Sequence, residues 1–185
     1  SADIGTACHE IIQRNLINKL DNDWIDVKDY IDQLHPQYKY EVEKHGYESR
    51  VCIESPPIRF AVDGIIRIDN IIYLLEIKSS DYGSWKNLAD PKPHHVDQVV
   101  CYASLLNLEH VLMMYIDRVY GDIKCFEVTV SIGQRQATWN MFKYVQDMVD
   151  ANYLLEIVGV IRLCVTIMKN VSNGKLYEER KSISC

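Results

Sequence analysis

Between Ile58 and Lys78 the chain carries two apolar, β-branched runs on either side of Asp69-Asn70. Runs of this kind around a two-residue turn signal a β-hairpin. Ile65, Ile66, Ile68, Ile71, Ile72, Leu74, Leu75 and Ile77 leave no polar face, as expected of central strands covered on both sides. Asp63, Glu76 and Lys78 interrupt that apolar setting. Charges in such strands are costly without a specific partner.

A turn at Asp69-Asn70 puts Ile68 opposite Ile71 and, counting back, Asp63 opposite Glu76. Directly opposed residues hold their Cβ atoms about 4.5–5.5 Å apart on one face. Two carboxylates that close repel unless a cation lies between them. A hard divalent ion, Mg²⁺ or Mn²⁺, is the expected partner. Lys78 follows Glu76 by two residues and projects from the same face. An ammonium there can orient a water, help it lose a proton, or hold a phosphate. A cation, an activated water and a positive group are the parts that metal-assisted phosphodiester hydrolysis needs.

The rest of the chain reads as α/β (α+β). Ile4 to Leu20 has helical periodicity, with Ile4, Cys8, Ile11, Ile12, Leu16 and Leu20 near one face. A shorter helix is expected over Asp26 to Leu34, ended by Pro36. Tyr38 to Glu54 reads as one or two strands interrupted near His45 and Gly46, and Pro56-Pro57 breaks the chain. Ile58 to Ile68 and Ile71 to Lys78 are the hairpin strands. Ser79 to Pro93 reads as a polar loop and His94 to Leu106 as a helix. Val111 to Val119 and Ile123 to Val130 read as strands, and Gln134 to Leu155 as a long helix. Val158 to Ile167 is strand-like, and the residues from Asn170 are polar. One mixed sheet flanked by helices follows.

At 185 residues the chain fits a single domain over residues 1–185. Its core is expected at about 5–130, with a C-terminal helix and tail at about 134–185. No apolar run reaches the roughly 18 residues that span a bilayer, and Ser1 to Gly5 lack the marks of a signal peptide. The six cysteines form no C-x₂-C pair, so reduced thiols and a cytoplasmic or nucleoid setting are expected. The formal net charge of −6 argues against a DNA-coating protein. It is compatible with a carboxylate-rich metal site beside a local basic patch.

Asp63-Gly64 followed by Glu76-Ile77-Lys78 resembles the PD-(D/E)XK nuclease signature. Gly5-Thr6-Ala7-Cys8-His9 resembles the Gly-x-x-x-His element of the RecB-type branch, which includes phage exonucleases. Gln98-x-x-x-Tyr102 resembles the helical Gln/Tyr motif of the same branch. The resemblance runs from Gly5 to about Leu106. It implies a restriction-endonuclease-like core and a Mg²⁺- or Mn²⁺-dependent deoxyribonuclease, expected as an exonuclease in recombination, repair or phage replication. It implies that His9, Asp63, Glu76 and the carbonyl of Ile77 ligate the metal, and that Lys78 acts on the water. Gln98 and Tyr102 would line the substrate side. DNA is the expected partner, with a helicase or single-strand annealing protein beside it, and no membrane. Family members with an iron–sulfur cluster carry three clustered cysteines near the C-terminus. This chain has only Cys164 and Cys185 there, far apart, so no cluster is expected. The alternatives are a catalytically inactive DNA-binding or scaffolding module and a structure-specific endonuclease of the same fold.

Several residues stay open at this point. Glu41, Glu43, Glu48 or Glu54 could add an acidic ligand. His94 and His95 are candidates for phosphate contact or metal ligation, and Ser79 and Ser80 for phosphate contact, although helix-start and loop roles suffice for them. Arg50, Arg59, Arg67, Lys86 and Lys92 are candidates for backbone contacts. Tyr82 and Trp85 could stack on unpaired bases or pack beneath their loop.

Overall fold

The structure, a computed structural model, describes residues 2–34, 39–151 and 182–183. Helix α1 (Ala2–Leu20) opens the fold, followed by β1 (Trp24–Ile25) and α2 (Val27–Leu34). Strands β2 (Tyr40–His45), β3 (Glu48–Glu54) and β4 (Pro57–Val62) form an antiparallel three-stranded sheet. The larger sheet has β5 (Gly64–Ile68), β6 (Ile71–Ser80), β7 (His110–Asp117), β8 (Ile123–Thr129) and β9 (Ser182–Ile183), with β1 on its edge. Its order is β1-β5-β6-β7-β8-β9. Among the described residues only β6 and β7 run parallel; their connection carries α3 (Tyr82–Lys86) and α4 (Pro93–Leu106). The last helix described is α5 (Ile132–Asp150). This is a mixed α+β fold with a central mixed sheet flanked by helices.

The β5–β6 hairpin has the expected register, from Ile68 opposite Ile71 to Gly64 opposite Leu75. Asp69 and Asn70 take φ of 50° and 66°. Two consecutive positive values match the tight turn whose twist suits a hairpin. The central strands are covered on both faces. On one side Ile66, Leu75, Ile77, Leu112 and Met114 pack under Ile12 of α1. On the other, Ile65, Leu74, Val111, Met113 and Tyr115 pack with residues of α2, α4 and the smaller sheet.

The structure corrects several expectations. The run from Ile58 to Ile68 is not one strand: it breaks at Asp63, where the chain leaves the smaller sheet and enters the larger. Gly64 marks the break, because a Cβ there would lie 2.5 Å from the Trp24 ring. Trp24 belongs to β1, a strand without a sequence signal. The loop after β6 contains α3, capped by Asp81, whose side chain accepts from the Ser84 amide at 2.9 Å. In α1, Ile4 and Ile11 are exposed, and the buried stripe runs through Cys8, Ile12, Leu16 and Leu20. Cys8, Cys52 and Cys101 lie outside any disulfide, but Cys125 is disulfide-bonded, so the expectation of reduced cysteines fails there. The long C-terminal helix was expected to reach Leu155, and a strand to cover Val158 to Ile167. Residues 152–181 and Pro36 lie outside the described residues.

The close packing of Trp24 on Gly64 yields a test. Gly64→Ala forces the indole aside and is expected to destabilise the protein by about 1–3 kcal/mol. Urea denaturation measures this; an unchanged midpoint would mean that β1 does not clamp the hairpin.

Candidate active site

Asp63 occupies the bend between the two sheets, just beyond the last backbone pair of the hairpin. Direct strand pairing of Asp63 with Glu76 was expected. Instead the Asp63 side chain extends the ladder: its Oδ2 accepts from the Ile77 amide at 2.7 Å. The outcome is close to the expected one, with both carboxylates at one place, but a side chain rather than the backbone makes the link. Asp63 and Glu76 are 7% and 4% exposed.

Helix α1 supplies the outer side of Asp63. Gly5 lets the helix run close to β6, since a Cβ there would meet Ser79 Oγ at 3.3 Å. One turn on, His9 Nδ1 lies 3.4 Å from Asp63 Oδ1. A further turn brings Gln13, 2% exposed, whose amide donates to the Asp63 carbonyl at 2.7 Å and lies 3.5 Å from Oδ1. Gln13 was not singled out from sequence. A polar residue one turn after His9 looks like a continuing solvent face, and only burial gives it a role.

On β6, Glu76 and Lys78 share the strand face that looks toward α4. Lys78 Nζ lies 2.6 Å from Glu76 Oε1 and donates to Gln98 Oε1 at 2.8 Å. Gln98 Nε2 in turn donates to the Tyr102 hydroxyl at 3.0 Å. Gln98 and Tyr102 lie four apart and therefore share a helix face. The sequence candidates thus come together as two linked groups. His9 and Gln13 surround Asp63, and Glu76, Lys78, Gln98 and Tyr102 form a chain of contacts beside it.

Burial pushes the Glu76 carboxyl up to about 7, with the charge of Asp63 adding to the effect and Lys78 opposing it. Burial pulls His9 down, but its hydrogen bond to Asp63 and the charges of Asp63 and Glu76 outweigh this. The imidazole therefore sits above its ordinary range. The two carboxylates and the carbonyl of Ile77 are hard oxygen donors, the type that Mg²⁺ and Mn²⁺ take. Among the described residues, no three His, Cys, Asp or Glu side chains form a ready-made metal cage.

The residues left open by sequence now separate. Glu48 borders a cavity of about 370 Å³ shared with His9, Gln13 and Asp63. Its carboxylate is 3.2 Å from Arg50 Nε. Glu41 and Glu43 border a second hollow of about 450 Å³ on the smaller sheet, with Arg50 and Arg59. Glu54 is exposed at the end of β3. Arg67 lies 3.7 Å from Asp23, and Lys92 precedes the first turn of α4. His95 Nδ1 is 2.8 Å from the Tyr115 hydroxyl, which accepts from the Lys92 amide. Burial lowers His95 to about 4, helped by Lys78. His94 stacks edge-on against it. Ser80 is buried, and its hydroxyl has no hydrogen-bond partner among the described residues. Trp85 packs beneath its loop: its indole donates to the Tyr115 carbonyl at 3.0 Å, and the Lys124 ammonium lies over its ring. That ammonium also donates to the carbonyls of Trp85, Lys86 and Leu88.

Two measurements follow from this geometry. Glu76 binds its proton more tightly folded than unfolded, so its contribution is fully present below about pH 4.5 and lost as pH rises through about 7. His9, also raised, acts in the same direction. In chelator, stability is expected to fall from pH 5 to 8 by about 3 kcal/mol, and Glu76→Gln should flatten most of that slope. A level profile in the parent would show that Glu76 is ordinarily ionised. Gln13→Ala strands the buried Asp63 carbonyl and is expected to cost about 1–3 kcal/mol in urea denaturation. A much smaller loss would remove Gln13 from the site.

No protein-family model matches the chain, and no curated protein matches it. Among solved structures, the chain is similar to the crystal structure of SSO0001, with a TM-score of 0.47 and 18% sequence identity. That match covers 80% of this chain, which spans about 60% of the other.

Proposed function

We propose that this protein is a metal-dependent deoxyribonuclease with a restriction-endonuclease-like core, of the PD-(D/E)XK class and its RecB-type branch, acting as an exonuclease. The observation that carries the reading is the buried acid pair beside a lysine held in place. Asp63 and Glu76 are nearly inaccessible, burial and the neighbouring charge of Asp63 make Glu76 costly to ionise, and Lys78 is fixed between Glu76 and Gln98. Two buried carboxylates beside one ammonium are costly, and a further positive charge between them offsets that cost. The residues suit a hard divalent ion held by Asp63, Glu76 and the Ile77 carbonyl, with His9 at its edge.

When bound, such an ion supplies Lewis acidity and an activated water. The chain's own groups do the remaining work. Glu76 and Gln98 hold the Lys78 ammonium at one point, where it can donate to a phosphate oxygen as negative charge builds there. Gln98 is itself oriented by Tyr102, whose ring packs 5.3 Å from Phe60 of the smaller sheet. Gln13 and the Ile77 amide fix Asp63, so it need not reorganise during the reaction.

End-labelled single- and double-stranded linear DNA, incubated with Mn²⁺, Mg²⁺ or EDTA, provides the test. Cleavage by the parent in either metal and none in EDTA is expected, with Lys78→Ala slower by roughly 100-fold or more. A parent inert in both metals, or a Lys78→Ala variant as active as the parent, would overturn the reading.

A further inference from the structure

The loop between β7 and β8 spends a wholly buried carboxylate on holding two exposed side chains. Asp117 is 0% exposed, whereas Val119 and Tyr120 are 62% and 70% exposed. The Asp117 carboxylate accepts from the Val119 amide at 3.1 Å and from the Tyr120 amide at 2.7 Å. Its backbone adds two bonds: the Gly121 amide donates to the Asp117 carbonyl at 3.0 Å, and the Asp117 amide donates to the Asp122 carbonyl at 2.9 Å. Gly121, at φ of 79°, supplies the left-handed step that closes the loop. Exposed loop tips are ordinarily mobile. This one is held by four hydrogen bonds, and the tyrosine it presents faces solvent.

The loop is also tied to the active strand. The Arg118 amide donates to the Ser80 carbonyl at 3.0 Å. Ser80 ends β6 two residues beyond Lys78, about 7 Å along the strand. The Tyr120 ring meets that of Tyr82 at nearly a right angle, with centroids 5.0 Å apart. Tyr82 opens α3, the next element after β6. Lys86 Nζ lies 5.8 Å over the Tyr82 ring, and Arg118 is close enough to help lower the Asp81 carboxyl. Two cations therefore flank an aromatic surface at the end of the strand that carries Glu76 and Lys78.

We propose that Tyr120, braced by Tyr82, is a stacking platform for unpaired nucleobases, with Lys86 and Arg118 attracting the adjoining phosphates. This rests on the nuclease reading and extends it to the substrate: a single-stranded end or overhang. A flat ring held at a fixed angle suits a base face, and stacking tolerates any base because each has a π-face. The flanking cations match the charge of a nucleic-acid backbone, and the tie to Ser80 keeps platform and active strand in one frame. Trp85, the other aromatic of α3, faces inward and stacks against Tyr82 from behind, with centroids 6.3 Å apart.

The test is binding, without metal or cleavage. Fluorescence anisotropy of the full chain in EDTA would use a labelled twelve-residue oligothymidylate. It would also use a strand of equal length with abasic sites throughout, and a blunt duplex. Tyr120→Ala is expected to weaken oligothymidylate binding by roughly 5- to 150-fold, and Tyr120→Phe to restore most of it. Tyr82→Ala should weaken it less. The abasic strand should bind the parent weakly and show no response to Tyr120→Ala. Loss of the abasic strand in equal measure would assign the loop to backbone contact and overturn the proposal. Equal losses on the blunt duplex, no effect of Tyr120→Ala, or no oligothymidylate binding by the parent would also overturn it. Hydrolysis of a small phosphodiester such as bis-p-nitrophenyl phosphate, sensitive to Lys78→Ala, reports the catalytic centre separately. Failure of the platform is thereby distinguished from failure of the nuclease reading.

Discussion

The hydrogen bond from the Ile77 amide to the Asp63 carboxylate joins the two halves of this protein. Asp63 stands where the chain passes from one sheet to the other, so its position is set by both. Ile77 lies between Glu76 and Lys78 on a strand covered on each side. One bond of 2.7 Å thus ties the hinge between sheets to the strand carrying the other charged groups. Both partners are buried, and breaking the bond would leave each unsatisfied in a low-dielectric setting. Gln13 closes the same corner from the helix side through the Asp63 carbonyl, so three elements meet at one residue.

Much of this was legible in the sequence, for definable reasons. The hairpin register follows from a two-residue turn and two apolar runs, and it needs no tertiary information. The order of helices and strands around it follows from periodicity. The juxtaposition of Glu76 and Lys78 follows from the two-residue period of a strand. The link from Lys78 to Gln98 crosses from strand to helix; resemblance to a motif put Gln98 on the substrate side and implied no such link.

What remained hidden depended on contacts between distant residues. The break at Asp63 was invisible because apolar residues continue on both sides of it. Gly64 was the lone clue, and its reason, the Trp24 ring, lies forty residues earlier. Gln13 looked like surface because polarity is a poor guide when a buried carbonyl awaits a donor. Ile4 and Ile11 looked like core because a helix of strong periodicity does not say how much of it is covered. Helix α3 is only five residues long and includes a glycine, below the length at which periodicity carries meaning. Tyr120 falls between two expected strands, and nothing local tells that Asp117 is buried and holds its loop.

The site draws on four separated segments: α1, the bend at Asp63, β6, and α4. Between the first and last contributors, His9 and Tyr102, lies about half the chain. Contacts so far apart in sequence pay their loop-closure entropy before they return any stability, and they form late. The consequence concerns synthesis. A growing chain that has not yet released α4 lacks Gln98, so Lys78 has no second anchor, and the acid pair has no roof. The charged centre comes into being only with the finished fold, and partial unfolding at α1 or α4 is enough to dismantle it.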